Sequence, residues 1–197
     1  VSAIGANADS NSLYQQSKFS GEQKALNNFK NTVIIRPSVI CGNEDNFTNL
    51  FAKLSLLPVI PVLRPDYKFQ PILVDDVATA IVKAIEIKKN DGKIYEIGGP
   101  TIISFRDMVK SIVSTIKKKR IIIEMPMPLA RIQATLFSLM PKPLLTKDQC
   151  EILNESNNIV SNKNLTLNDL NIKPADVQQA MPKWLWRFRS GGEFAKI

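Results

Sequence analysis

Apolar residues recur along this chain in two rhythms, short β-branched runs and longer stretches with one apolar face, and their alternation predicts strands interleaved with helices. A helical pattern between Ser10 and Phe29 opens on Ser and Asn cap candidates. It leads into Thr32-Val33-Ile34-Ile35-Arg36-Pro37, a buried-strand signal ended by proline. Phe47 to Leu57 predicts a second helix, and Pro58, Pro61 and Pro65 mark the loop after it. Phe69 to Val74 reads as a short strand. Asp75 and Asp76 then stand where a helix N-cap belongs, with Val77, Ala78, Ile81, Val82 and Ile85 as one apolar helix face. Lys93 to Ile97 is a strand that stops at Gly98-Gly99-Pro100. Ser104 caps a helix running to about Lys117, and Arg120 to Glu124 forms a further strand. A last helix spans Thr146 to Asn154, and Asn157 to Asn164 is a loop. Strands alternating with helices of this length give an α/β fold with a mainly parallel sheet.

The most apolar stretch, Ile121 to Leu145, is interrupted by Pro126, Pro128, Pro141 and Pro143. Its longest proline-free piece, Leu129 to Met140, falls well short of the roughly 20 residues a membrane helix requires. Within it Leu129, Ile132, Leu136 and Leu139 recur at helical spacing, which predicts a one-sided helix packed on the core or on a partner. No transmembrane segment is expected.

Composition narrows the chemistry. With 44% apolar residues in 197, the chain can bury a sizeable core. It contains no histidine, so acid–base work falls to Tyr, Lys, Asp or Glu. Cys41 and Cys150 stand alone and far apart, which excludes a disulfide framework or a zinc site and fits a reducing, intracellular setting. The net charge of +8 suits nucleic acid, an anionic membrane surface, or anionic cofactors and acidic proteins. The one tight basic cluster, Lys117-Lys118-Lys119-Arg120, reads as a solvated helix end. No nucleic-acid recognition motif accompanies it. The opening Val1-Ser2-Ala3 has no charged segment before an apolar run and reads as an internal start.

Tyr14 and Lys18 lie one helical turn apart, so phenol and ammonium project from the same face. A cation beside the phenol should lower its pKa, which suits a proton donor or acceptor in carbonyl reduction. Asp75 and Asp76 could pass for a catalytic carboxylate pair, but capping accounts for their position.

The order of a Y-x-x-x-K helix, a strand ending in Arg36-Pro37, and a loop Ser38-Val39-Ile40-Cys41-Gly42 resembles the extended short-chain dehydrogenase/reductase superfamily. Phe69 to Ala78, and Tyr95 to Pro100 followed by Ser104-Phe105-Arg106, extend the likeness. The resemblance implies that Tyr14 is the acid/base phenol, that Lys18 holds the nicotinamide ribose, and that Pro37, Ser38 and Val39 line the nicotinamide. It also puts Ser2, 12 residues before Tyr14, about where the superfamily's Ser/Thr stands. Val1 to Ala6, Gly42 to Phe47 with Asn49 and Phe51, Leu144 to Gln149, and Trp184 to Arg189 before Gly191-Gly192-Glu193-Phe194 resemble a narrower family. That family is the NAD(P)H-binding accessory subunits of respiratory complex I.

The phosphates of a dinucleotide normally rest on a Gly-rich turn at a helix N-terminus. The eight glycines, at 5, 21, 42, 92, 98, 99, 191 and 192, compose no such turn. The resemblance therefore implies the C-terminal part of a Rossmann-type domain over residues 1–197, with a substrate-side and partner-binding region over 121–197. NADP(H) or NAD(H) would bind only if the glycine-rich half, whose strands would also cover the sheet edge, were supplied. Complex I subunits or assembly intermediates are the implied partners, with an anionic membrane surface as a further contact. The implied location is the cytoplasmic side of a bacterial respiratory membrane, or the matrix side of the mitochondrial one. The alternatives are an active reductase or epimerase/dehydratase, and a remnant acting only as an interaction module, which the aromatic–arginine tail Trp184 to Arg189 would suit.

Overall fold

The computed structural model describes residues 1–87, 91–137, 143 and 145–194. Strand β1 (Ile34–Pro37) pairs in parallel with β6 (Ile94–Ile97), in register from Ile34 opposite Ile94 to Pro37 opposite Ile97. The first residues run along the other edge of β1, where Ser2 N donates to Ile35 O at 2.7 Å and Ile4 N to Pro37 O at 3.1 Å. Leu165 bridges Tyr95 in parallel on the far side of β6. The result is a parallel α/β layer, as the alternating pattern predicts.

Three short pairs complete the strands. They are β2 (Ile40–Cys41) with β5 (Ile72–Leu73) in parallel, β3 (Val59–Leu63) with β8 (Ile121–Met125) in parallel, and β4 (Lys68–Phe69) with β7 (Ile103–Ser104) antiparallel. Helices α1 (Leu13–Asn28), α2 (Asn46–Leu54), α3 (Val74–Glu86), α4 (Phe105–Thr115), α5 (Met127–Phe137) and α6 (Lys147–Asn154) come between or after them. Two one-turn helices follow, α7 (Val177–Ala180) and α8 (Pro182–Leu185).

Several expectations need correction. Residues 59–63, expected in a loop because of Pro61, form β3. Ile121 N donates to Pro58 O, so the bonds to β8 fall on alternate residues and Pro61 sits where its missing N–H faces the unpaired edge. The single strand expected over Phe69 to Val74 is broken by Gln70-Pro71 into β4 and β5, and Val74 already belongs to α3. Asp75 and Asp76 are not the cap: Leu73 is, without a side-chain bond, and the two carboxylates lie in the first turn, where they favour the helix dipole.

The apolar face of α3 is also rotated from the expected one. Val77, Ala80 and Ala84 are buried, whereas Ala78, Val82 and Ile85 face outward. The same substitution of small for large occurs in α5. Ala130 and Ala134 are fully buried against Cys150, and Leu129, Ile132 and Leu136 are more than half exposed, so this face does not pack on the core. Leu139 lies outside the described residues. The tail Trp184 to Arg189, which could serve an interface or pack on its own domain, is packed on its own chain. Trp184, Leu185 and Phe188 join the main core, Trp184 Nε1 donates to Thr48 Oγ1 at 3.0 Å, and Arg187 donates to Asn49 Oδ1 at 2.9 Å. Only Trp186 of its aromatic residues stays exposed.

The long helix α1 is unlike the others, because its buried residues are Gln15 and Glu22. Glu22 forms a two-pronged ion pair with Arg36 of β1, at 2.8 Å from Nε and 2.6 Å from Nη2. Glu96 of β6 approaches the same guanidinium at 3.5 Å and also accepts from Ser161 N and Asn164 Nδ2. The Glu22 hydrogen bond, aided by both carboxylate charges against the cost of burial, holds the Arg36 pKa above its usual value. Substituting Glu22→Ala leaves this buried cation under-compensated, and a loss of about 3 kcal/mol in unfolding free energy is expected by urea denaturation; a change under ~1 kcal/mol would show that the ion pair does not fix α1.

Candidate functional site

The carboxyl ends of parallel strands are where α/β proteins place their ligands, and β1 and β6 end together at Pro37 and Ile97. The loop leaving β1 carries Pro37, Ser38 and Val39, and Ser38 N donates to Ile97 O at 2.9 Å. Gln70-Pro71 and Gly98-Gly99 approach from the neighbouring strands. Gln70 Nε2 donates to Gly99 O at 2.8 Å, and a side chain at Gly99 would collide with the Pro71 carbonyl. Glycine is required there by contact.

Asn158 locks this junction. Its Oδ1 accepts from Ser38 Oγ at 2.5 Å and from Val39 N at 3.2 Å, while its own backbone accepts from Gln70 N and donates to Lys68 O. The Ser38 hydroxyl is thereby committed to holding the loop. Asn158 belongs to a segment with no periodic pattern, and only the polar run Asn157-Asn158 hints at a capping or bridging role.

Tyr14 lies in the first turn of α1 and is 46% exposed. Lys18 stands over the phenol ring, its Nζ 5.5 Å from the centroid, in a cation–π arrangement. The expected lowering of the Tyr14 pKa is reversed: partial burial raises it, so the phenol stays protonated through neutral pH. Ser2 is buried beside β1, where its backbone N–H donates to Ile35 O, and Ile4 of the same segment reaches Pro37 O. Its hydroxyl has no hydrogen-bond partner among the described residues, so no bond joins it to Tyr14. Gly5, at φ +92°, brings the same segment against Gln15 of α1, whose Nε2 leaves no room for a Cβ. The segment of residues 2–5 therefore lies between β1 and α1, and no hydrogen bond joins Ser2, Tyr14 and Lys18 among the described residues.

Two carboxylates from the C-terminal part fix the start of α1. Asp148 accepts from Leu13 N at 2.7 Å and Ser12 Oγ at 2.9 Å. Glu155 accepts from Asn11 N at 2.7 Å and Ser10 Oγ at 2.8 Å. Negative charge at a helix N-terminus is favourable, and here it docks α6 onto the turn that carries Tyr14.

Both cysteines are free and buried; burial first and Asp45 second push the Cys41 thiol up, which makes it an inert packing group. Among the described residues no cluster of His, Cys, Asp or Glu could hold a metal, and no helix is long and apolar enough to cross a membrane.

No protein-family model matches the chain. It is 30% identical to the NADH dehydrogenase (ubiquinone) 1 alpha subcomplex subunit 9 of Arabidopsis thaliana over 98% of its own length and 50% of that protein. The mouse subunit of the same name is 31% identical over 96% of this chain and 51% of its own. The 40 kDa subunit of NADH-ubiquinone oxidoreductase from Neurospora crassa is 24% identical, again over 98% and 51%. The chain spans about half the length of the curated relatives it matches. Among solved structures, UDP-glucose 4-epimerase from Thermotoga maritima superposes with a TM-score of 0.64 at 14% identity, over 93% of this chain and 60% of that one. The dTDP-4-dehydrorhamnose reductase of Bacillus anthracis, solved with NADP, gives 0.60 at 18% identity, over 87% and 53%. These neighbours establish the Rossmann-type fold.

The raised Tyr14 pKa gives a direct test. Ultraviolet difference titration, wild type minus Tyr14→Phe, should show one phenol ionising above the ordinary value of about 10; a midpoint below that would mean the Lys18 charge outweighs burial.

Proposed function

Because this chain belongs to the family of the complex I alpha subcomplex subunit 9 proteins, we propose that it acts as an NAD(P)H-binding accessory or assembly subunit of NADH:ubiquinone oxidoreductase. In this reading the cofactor is a structural group and is not turned over. The observation that carries it is the match of 96–98% of the chain to half of the plant and mouse subunits.

The residues fit one end of the cofactor and not the other. Ser2, with its unpartnered buried hydroxyl, and the half-exposed Tyr14 with Lys18 suit the nicotinamide and its ribose, beside Pro37 and Val39. A bound NAD(P)H would supply hydride-transfer chemistry. The residues themselves contribute a neutral phenol, a cation over its ring, and a backbone turn braced by Asn158. Nothing among the eight glycines provides the phosphate-binding turn, so the pyrophosphate must be held by residues outside these 197. NADP and NAD both remain compatible with the nicotinamide side. An active reductase or epimerase is the second reading, favoured by the half-exposed Tyr14–Lys18 pair.

The region 121–197 is the partner side in this account, and the outward face of α5, with Ile132 at its centre, is the surface offered to complex I. The protein would lie peripheral to the respiratory membrane, on the matrix side in a mitochondrion. On native gels of solubilised membranes, the chain should migrate with complex I or an assembly intermediate. Ile132→Asp should strongly reduce that co-migration, and Tyr14→Phe should leave it intact. Undiminished association of the Ile132 variant would remove α5 from the interface; no co-migration by wild type would remove the subunit assignment; and reductase turnover lost with Tyr14→Phe would favour the enzymatic reading.

A further inference from the structure

A hollow of about 350 Å³ opens between α2, β3, β8, α5 and α6. Its floor is an aromatic cluster. Phe47 meets Phe51, Phe69 and Phe105 at ring-centroid distances of 5.2, 5.4 and 5.7 Å, and Phe105 meets Phe51 and Phe69 edge-on at 5.4 and 5.3 Å. Leu50 of α2 and Leu153 of α6 face the hollow from opposite sides, and both remain only half-buried although they belong to well-formed helices.

Among the described residues the wall contains no charged side chain. The polar side chains there are Gln133 and Gln149, and the Gln149 carbonyl oxygen is already engaged by Thr146 N in the cap of α6. A space of this volume would hold on the order of ten waters, each needing two to four polar partners, which this lining does not supply. Two glutamine amides, with no cation among the described residues, are little to offer a phosphate or a ring of sugar hydroxyls. A sugar nucleotide, the ligand in the Thermotoga maritima epimerase structure, is therefore poorly suited to this wall. An apolar solute meets fixed aromatic edges and leucine side chains, the usual lining of a hydrophobic ligand site. Scaling from an apolar cavity of ~150 Å³ that admits benzene, the hollow accommodates on the order of a dozen carbon atoms.

We propose that this hollow is a binding site for the hydrocarbon chain of a lipid-class ligand, recognised by its chain and not by its head group. Its lining does not include Ser2, Tyr14, Lys18 or Pro37 to Val39, and it does not depend on a cofactor. Its chemistry is shared by a free fatty acid, a fatty alcohol and an acyl group carried on a larger molecule.

The test uses the full chain and dansyl-undecanoic acid as a fluorescent probe below its micelle concentration. Saturable binding is expected, with displacement by both dodecanol and dodecanoate and none by UDP-glucose. Displacement by dodecanoate alone would mean that a carboxylate is recognised, and would overturn recognition by the chain. Leu50→Trp and Leu153→Trp fill the hollow from opposite walls, and each should weaken probe binding roughly tenfold or more while circular dichroism stays unchanged. If one variant does not fold, the other decides. Non-saturable uptake, competition by UDP-glucose, or undiminished binding in a folded filling variant would overturn the proposal.

Discussion

Arg36 occupies the third position of β1, and its guanidinium is held by Glu22 of α1 on one side and Glu96 of β6 on the other. A cation taken out of water is stable only while its partners are all present and themselves satisfied. Glu96 meets that condition through Ser161 N and Asn164 Nδ2, so the ion pairs reach from a helix through two strands into the loop that follows α6. This matters because α1 has no apolar face with which to anchor itself. The helix that carries Tyr14 and Lys18 is positioned by charge, and the sheet beneath it supplies that charge at one residue.

The start of the same helix is held in the same manner. Asp148 and Glu155 occupy its free backbone donors, so the C-terminal part of the chain sets the place of a residue more than 130 positions earlier. Polar fixation of this kind specifies geometry more than it adds stability. The Tyr14 phenol beneath Lys18 and the buried Ser2 hydroxyl are not bonded to each other. The apolar core lies elsewhere, chiefly around α2, α4 and the aromatic tail.

Much of the fold was legible because β-branched runs and helix caps are local signals. The strands around Ile34 and Ile94, the cap at Ser104 and the helix that follows Thr146 follow directly from such patterns. Helix faces were harder, since period alone marks α3 and α5 as amphipathic but cannot say that alanines will be chosen for the tight contact and larger side chains left outside. Pro61 reads as a loop breaker until a strand with one free edge is known to receive it. In the site, Y-x-x-x-K and the Arg-Pro ending of β1 were visible as motifs. Asn158 was not, because a lone asparagine in an aperiodic loop gains meaning only from the strands that fold around it. The direction of the Tyr14 shift was misread for a related reason: sequence spacing brings the cation near, but the structure puts it over the ring and buries the phenol in part.

The central claim is that these residues carry the nicotinamide side of an NAD(P)H fold without the grip on its phosphates. The most direct measurement is calorimetric titration of NADPH into the 197-residue chain alone, and into the same residues preceded by a glycine-rich strand–turn–helix half. The account predicts no saturable binding at micromolar concentrations in the first case and tight binding in the second. Micromolar binding by the chain alone, or none by the joined protein, would contradict it.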